Sequence, residues 1–183
     1  MHFPQSRRVS DPPAMDEPEV DFKRFLSYAA TAGNLEEFAK LLAAGAEIPS
    51  DLTGCEQAEW LIGAVKSDQA QDFLELLLKA GLNPASVYDR IGDAYQSNAF
   101  IAAAERGRID LMEMLIKAGA DPHWKSPSGT NAAGEILSCL LSQDHQHAPP
   151  DLRGVKQWLD NHGVRFDPSC DDSQRKLQYA ASG

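Results

Sequence analysis

Cysteine is scarce in this chain and scattered. Cys55, Cys139 and Cys170 are the three in 183 residues, with no CxxC pair. An odd count at irregular spacing excludes a disulfide framework and fits reduced, incidental thiols. Basic residues are also in deficit: 17 Lys and Arg stand against 27 Asp and Glu, a formal net charge of -10. Such a surface repels phosphate backbones and anionic lipid, so neither nucleic acid nor membrane is an expected partner. Long apolar runs are missing too. Nothing approaches the roughly 20 apolar residues of a membrane helix. Met1-His2-Phe3-Pro4-Gln5-Ser6-Arg7-Arg8 leads into no apolar stretch of the kind a secretory signal needs. The expectation is a soluble cytoplasmic protein. Catalytic motifs are absent as well: no Gly-x-Ser-x-Gly, no P-loop, no His-Glu-x-x-His and no glycine-rich dinucleotide turn. Asp16-Glu17 and Asp171-Asp172 sit in polar tails and read as solvated carboxylates. No enzyme and no cofactor is therefore expected.

What the chain does have is repetition. Apolar residues make up 43% of it, enough for a core. Ala103-Ala104-Glu105-Arg106-Gly107-Arg108-Ile109-Asp110 leads into Leu115-Ile116-Lys117-Ala118-Gly119-Ala120-Asp121-Pro122. The same template runs through Ala29-Ala30-Thr31-Ala32-Gly33-Asn34-Leu35-Glu36 to Leu41-Leu42-Ala43-Ala44-Gly45-Ala46-Glu47. In both, two alanines precede a glycine, and a second glycine follows 12 residues later. A weaker copy runs from Phe73 to Pro84. The second glycines are Gly45, Gly81, Gly119 and Gly163, spaced 36, 38 and 44 residues apart. Repetition on this scale specifies a stacked solenoid, in which each unit buries its apolar face only against its neighbours.

Apolar spacing divides each unit into two helices. The expected pairs are 21–32 with 35–44, 57–67 with 70–80, 97–106 with 109–118, and 131–142 with 152–161. Leu35, Phe38, Leu41 and Leu42 form the stripe of the first outer helix, and Leu74, Leu77 and Leu78 that of the second. Gly33-Asn34 separates the first pair. Ser67-Asp68-Gln69 has lost the glycine and reads as one residue longer. Gln143 to Pro150 is an insertion in the fourth unit. Residues 1–20, with Pro4, Pro12, Pro13 and Pro18, read as a flexible arm, and 167–183 as a polar tail. The repeat-bearing domain is thus 21–166, with repeats at about 21–48, 57–84, 97–122 and 130–166.

These residues resemble the ankyrin repeat. The family motif ends its first helix on Ala-Ala, turns on Gly, opens its second helix on Leu-Glu, continues with a leucine stripe and closes on Gly-Ala-Asp. Ala103-Ala104, Gly107, Ile109-Asp110, Leu115-Ile116 and Gly119-Ala120-Asp121 fill those places, and Ser128-Gly129-Thr130 is similar to the family's finger opening. The family's Thr-Pro-Leu-His opening is missing: Asn98-Ala99-Phe100-Ile101 and Arg24-Phe25-Leu26-Ser27 stand there. The resemblance implies an all-α fold, an ankyrin-like α-solenoid of stacked helix-turn-helix repeats with loop or finger connections. Without that Thr and His, it is expected to be held by packing more than by polar turn networks. It also implies a non-enzymatic module that binds another protein through a concave surface of loop tips and inner-helix faces.

Candidate contact residues follow from that surface. Ala85 to Gln96 is longer than a tight finger needs and carries Tyr88, Asp89, Arg90, Tyr95 and Gln96; Tyr and Arg are enriched at interface anchors. Its bland alternative is a loop packed by its own Val87 and Ile91. His123, Trp124 and Lys125 occupy the next finger, where the Trp either binds or packs on its own helix. Arg106, in the turn of the third pair, joins them. Trp60 reads as core and Trp158 as a cap on the stack. His145 and His147, with His123 or His162, could seat a metal, although an exposed loop explains them and no metal is expected. Arg7-Arg8-Val9-Ser10 resembles a basic kinase site.

The functional expectation is a protein that is monomeric when free and binds a basic protein partner. One form of it is a toxin-neutralising immunity or inhibitor protein. The alternatives are a secreted ankyrin-type effector that mimics host scaffolds, and a metal-dependent regulator or enzyme using the His145/His147 loop.

Overall fold

The structure, a computed structural model, describes residues 21–89, 96–141 and 151–166. The expected arm, insertion and tail lie outside them, as do Arg90, Tyr95, His145, His147, Cys170, Arg7 to Ser10 and the carboxylate pairs of the tails. The described residues form eight helices: α1 (Phe22–Thr31), α2 (Leu35–Ala43), α3 (Gly54–Lys66), α4 (Ala70–Lys79), α5 (Ala99–Glu105), α6 (Ile109–Ala118), α7 (Ala132–Leu141) and α8 (Leu152–Asn161). Each odd-numbered helix packs against the next even one, and α1, α3, α5 and α7 pack in succession as an inner row. The result is a stack of four helical hairpins.

Local chemistry explains the helix limits. Asn34 caps α2 by accepting from Glu37 N at 3.0 Å, with Glu36 and Glu37 on the positive end of the helix dipole. Gly119 closes α6 in the left-handed conformation, φ 111°. Two limits differ from expectation by more than one residue. Helix α3 begins at Gly54 and not at 57, because Thr53 and Glu56 form a capping box: Glu56 N donates to Thr53 Oγ1 at 3.2 Å, and Thr53 N to Glu56 Oε2 at 2.7 Å. Helix α5 begins at Ala99 and not at 97, because Asn98 is its cap, accepting from Ile101 N at 2.9 Å.

The turn at Ser67-Asp68-Gln69 is no longer than its counterparts. Three residues separate the helices there, as at Ala32-Gly33-Asn34 and Arg106-Gly107-Arg108. Where the others use a glycine at positive φ, this turn takes Ser67 into extended backbone and has its Oγ accept from Gln69 N at 3.2 Å. The extra residue lies beyond the turn: Ala70 to Gly81 spans 12 residues, where Leu35 to Gly45 and Ile109 to Gly119 span 11.

The core runs the length of the stack. Leu26, Phe38, Trp60, Phe73, Phe100, Leu111, Leu115 and Ile136 are all fully buried. Each such side chain contributes about 1.5–3 kcal/mol by leaving water. Phe38 is the hub of the first interface, edge-on to Trp60 at 5.6 Å and tilted against Phe73 at 5.1 Å. Trp60 is core as expected, and its Nε1 donates to Ser27 Oγ at 3.3 Å. Trp158 lies against Phe100 at 6.3 Å, stacks on His162 at 3.7 Å and donates from Nε1 to Glu113.

Polar turn chemistry is richer than the missing Thr and His led us to expect. Asn131 caps α7 by accepting from Gly134 N at 3.0 Å, and its Nδ2 donates to the Arg165 carbonyl at 3.0 Å. Ser126 N donates to the Thr130 carbonyl at 2.8 Å, and Thr130 N to Ser126 Oγ at 3.0 Å. Buried asparagines and a serine-threonine turn supply these bonds.

Candidate functional site

The inner row presents one side to solvent. On α3, Glu59, Ile62, Gly63 and Lys66 recur at i, i+3, i+4 and i+7, so they share a helix face. That face forms the floor of a groove of about 280 Å³. Thr31 of α1 and Ala102 and Glu105 of α5 make its sides, and Tyr88 and Ser97 stand at one end. A second, shallower groove of about 560 Å³ continues toward the first hairpin, past Ser27, Tyr28 and Glu56, and shares Thr31 and Glu59 with the first. The two therefore form one concave strip across α1, α3 and α5.

The segment expected as a loop over 85–96 is a finger. Tyr88 pairs with Ser97, and Asp89 with Gln96, in a two-stranded antiparallel ladder. The ladder aims Tyr88 and Ser97 into the groove and turns Asp89 and Gln96 the other way, since successive residues of a strand face opposite sides. The Cys55 thiol donates to the Asp89 carbonyl at 3.6 Å, tying the finger to the start of α3. Tyr88 is half-buried and Asp89 exposed.

Other expected contact residues fall elsewhere. Arg106 follows α5 and donates from Nη2 to the Lys66 carbonyl at 3.4 Å, bridging two hairpins at the negative end of α3. His123 is exposed in a turn whose backbone is held by Asp121: Oδ1 accepts from His123 N at 2.8 Å. Trp124 is half-buried and packs on the core, and Lys125 is exposed. Neither of these two grooves is lined by His123, Trp124, Lys125 or Arg106. The residues that sequence reading passed over are Glu59, Ile62, Lys66, Ala102 and Glu105. Their helical spacing was visible, but half-polar helix faces look like ordinary solvated ones.

Charge on the strip is mixed and nearly balanced, with Asp21, Glu56, Glu59 and Glu105 beside Lys23, Arg24 and Lys66. Thr53's backbone N–H and then its hydroxyl bind the Glu56 carboxylate and hold its pKa below the ordinary value. Among the described residues no group of three or more His, Cys, Asp or Glu could hold a metal. Nor, among them, is any helix long and apolar enough to cross a membrane.

A stack of helical hairpins with a concave strip and a short two-stranded ladder at its end defines an α-solenoid interaction module. Residues 96–126 match the family model of the ankyrin repeat. The match opens on the second strand of the finger, takes in α5 and α6, and closes on Ser126 of the next finger. Over that stretch the chain is similar to an ankyrin repeat, a repeat whose family serves protein–protein interaction. No curated protein matches the chain.

Proposed function

We propose that the chain is a non-enzymatic module that binds a basic protein on the concave strip. The observation that carries the reading is the groove itself. It joins an aromatic anchor, Tyr88, to an apolar floor at Ile62 and Gly63, with carboxylates from Glu59 and Glu105 around them. Half-buried aromatics in such a setting are the residues that dominate interface energies. The -10 net charge supplies long-range attraction to a positive target. In its sharpest form the chain is an inhibitor or immunity protein that neutralises a basic toxin by occupying its surface.

The experiment is site-specific photocrosslinking in the native host. A photoreactive residue at position 62 or 88 is expected to capture a basic protein. The same residue at Glu75, exposed on outer helix α4, is not. Capture from Glu75 alone would place the interface on the convex side and overturn the reading. The inhibitor form adds a second readout: co-expression with the captured protein suppresses that protein's activity.

A further inference from the structure

The groove floored by α3 is polarised along its length. Counted from the residues that cap the C-terminal ends of α3 and α5, Ser67 and Arg106, Lys66 stands level with Glu105 and Gly63 with Ala102. All four line the groove, so its Lys66 end carries one charge of each sign. Glu59 lies seven residues before Lys66, about 10 Å back along the helix. The finger reaches that end. Cys55, one turn before Glu59, binds the Asp89 carbonyl and so brings the neighbouring Tyr88 to Glu59's side of the groove. Arg24 is level with Glu59 on α1, yet it lines the second groove and not the first. One end of the groove thus balances its charge, and the other holds a carboxylate and an aromatic ring.

Glu59 and Tyr88 are both half-buried. Among the described residues neither side chain makes a hydrogen bond, an ion pair or a ring contact. Comparable groups elsewhere on the stack are partnered. Glu36 and Glu75 pair with lysines one turn on, and Glu113 accepts from Trp158. Trp60 and Trp158 each have a ring against them. A polar group that gives up hydration without gaining a partner costs free energy, so a carboxylate and a ring left open together in a concavity are completed by a ligand.

We infer that this groove is a pocket for one arginine side chain of the partner, with the guanidinium stacked on the Tyr88 ring and turned toward Glu59. The inference rests on the reading that the concave strip is the binding surface. Size limits the occupant first. The volume of about 280 Å³ falls just below the roughly 300–1,000 Å³ of drug-sized ligand sites, so one long side chain fits and a folded segment does not. Chemistry limits it next. The aliphatic stem lies on Ile62, Gly63 and Ala102, a floor that is apolar and, at Gly63 and Ala102, low. A guanidinium is planar, so it stacks flat on a ring while its edge still offers N–H donors to a carboxylate. The ammonium of lysine is a compact, more strongly hydrated charge and does neither as well. Glu59 draws the cation in across solvent, and the face of Tyr88 retains it.

The test is an NMR titration of the full chain with Nα-acetyl-arginine amide. The lysine and citrulline counterparts are the comparisons, citrulline having the shape of arginine without its charge. The arginine compound is expected to give saturable shifts at the Tyr88 ring and the Ile62 and Ala102 methyls, with a dissociation constant on the order of 1 mM. The methyl of Met112, fully buried in α6, stays unmoved and reports that the fold is intact. The lysine compound binds more weakly and the citrulline compound not at all. Tyr88→Phe keeps the response, because the ring remains. Tyr88→Leu weakens it about fivefold or more, and Glu59→Gln about threefold. The absence of saturable shifts would overturn the inference, as would an equal response to citrulline or an undiminished one in Tyr88→Leu. Photocrosslinking keeps the two readings apart. Capture of a basic protein from position 62 or 88 with a silent arginine titration removes the arginine pocket and leaves the binding strip. Capture from Glu75 alone removes the strip, while the titration decides the pocket by itself.

Discussion

Gly63 packs so closely on the carbonyl oxygen of Ala30 that no side chain fits between α3 and α1. The contact is reciprocal, since a Cβ on Gly33 would come within 2.7 Å of the Gly63 carbonyl oxygen. One glycine thus sets the spacing of the first two inner helices, and the floor of the groove with it. Glycine inside a helix costs about 1 kcal/mol relative to alanine, so propensity alone favours Gly63→Ala. Overpacking against backbone costs about 1–3 kcal/mol and wins. Because backbone atoms must shift, the overpacking cost lies at the upper end of that range, and the expected outcome is a net loss of about 2 kcal/mol, read as a lower urea midpoint at unchanged m-value. A midpoint that holds or rises would mean that the helices part freely.

Phe38 couples three hairpin elements, touching Trp60 and Phe73 from the first outer helix. Phe38→Ala should cost about 3–5 kcal/mol, because the cavity it leaves is walled by rings that cannot collapse into it. Calorimetry or denaturant unfolding checks the value. A cost near 1 kcal/mol would show that the first hairpin contributes little to the cooperative unit.

Most of the scaffold could be read from spacing alone. Alanine pairs, the leucine stripe and the terminal glycines report a period set by the backbone, which is why the helix limits agree so closely. The start of α3 was legible and passed over, as Thr53-x-x-Glu56 is a capping signature three residues apart. The finger was harder. Two residues per strand carry no alternation to detect, and Tyr88 faces the groove only because it pairs with Ser97. The groove itself depends on which faces of α1, α3 and α5 stay uncovered, a property of the stacking distance. Arg106 shows the limit from the other side: a charged turn residue read as a contact is seen to bridge two hairpins through the Lys66 carbonyl.

Acid should loosen the start of α3 through Glu56. Its folded pKa lies below the ordinary carboxylate value, so the stabilisation is fully present above about pH 4.3, where the unfolded-state group is ionised. It is lost as pH falls through the lower folded value. Glu56→Gln keeps an acceptor but removes the charge, and is expected to flatten that part of the acid unfolding curve. Thr53→Ala removes the cap at all pH values, at about 1 kcal/mol. Urea midpoints measured from pH 7 down to pH 3 separate the two. An unchanged acid slope in Glu56→Gln would remove this carboxylate from the account.

Tyr88 and Glu59 should affect binding in different ways, and the difference tests how the concave strip works. Tyr88 is the half-buried anchor, so Tyr88→Ala is expected to weaken partner affinity by about 2 kcal/mol or more, mainly through faster dissociation. Glu59 contributes charge at the junction of the two grooves, and Glu59→Gln should lower the association rate and its salt dependence while leaving dissociation nearly unchanged. For the unsubstituted chain the association rate should fall steeply as salt rises from about 0.01 M to 1 M, since the screening length shrinks from about 30 Å to about 3 Å. Surface plasmon resonance across that range reads all three. A salt-insensitive association rate would remove the electrostatic part of the proposal and leave Tyr88 standing. Full affinity in Tyr88→Ala would remove the groove.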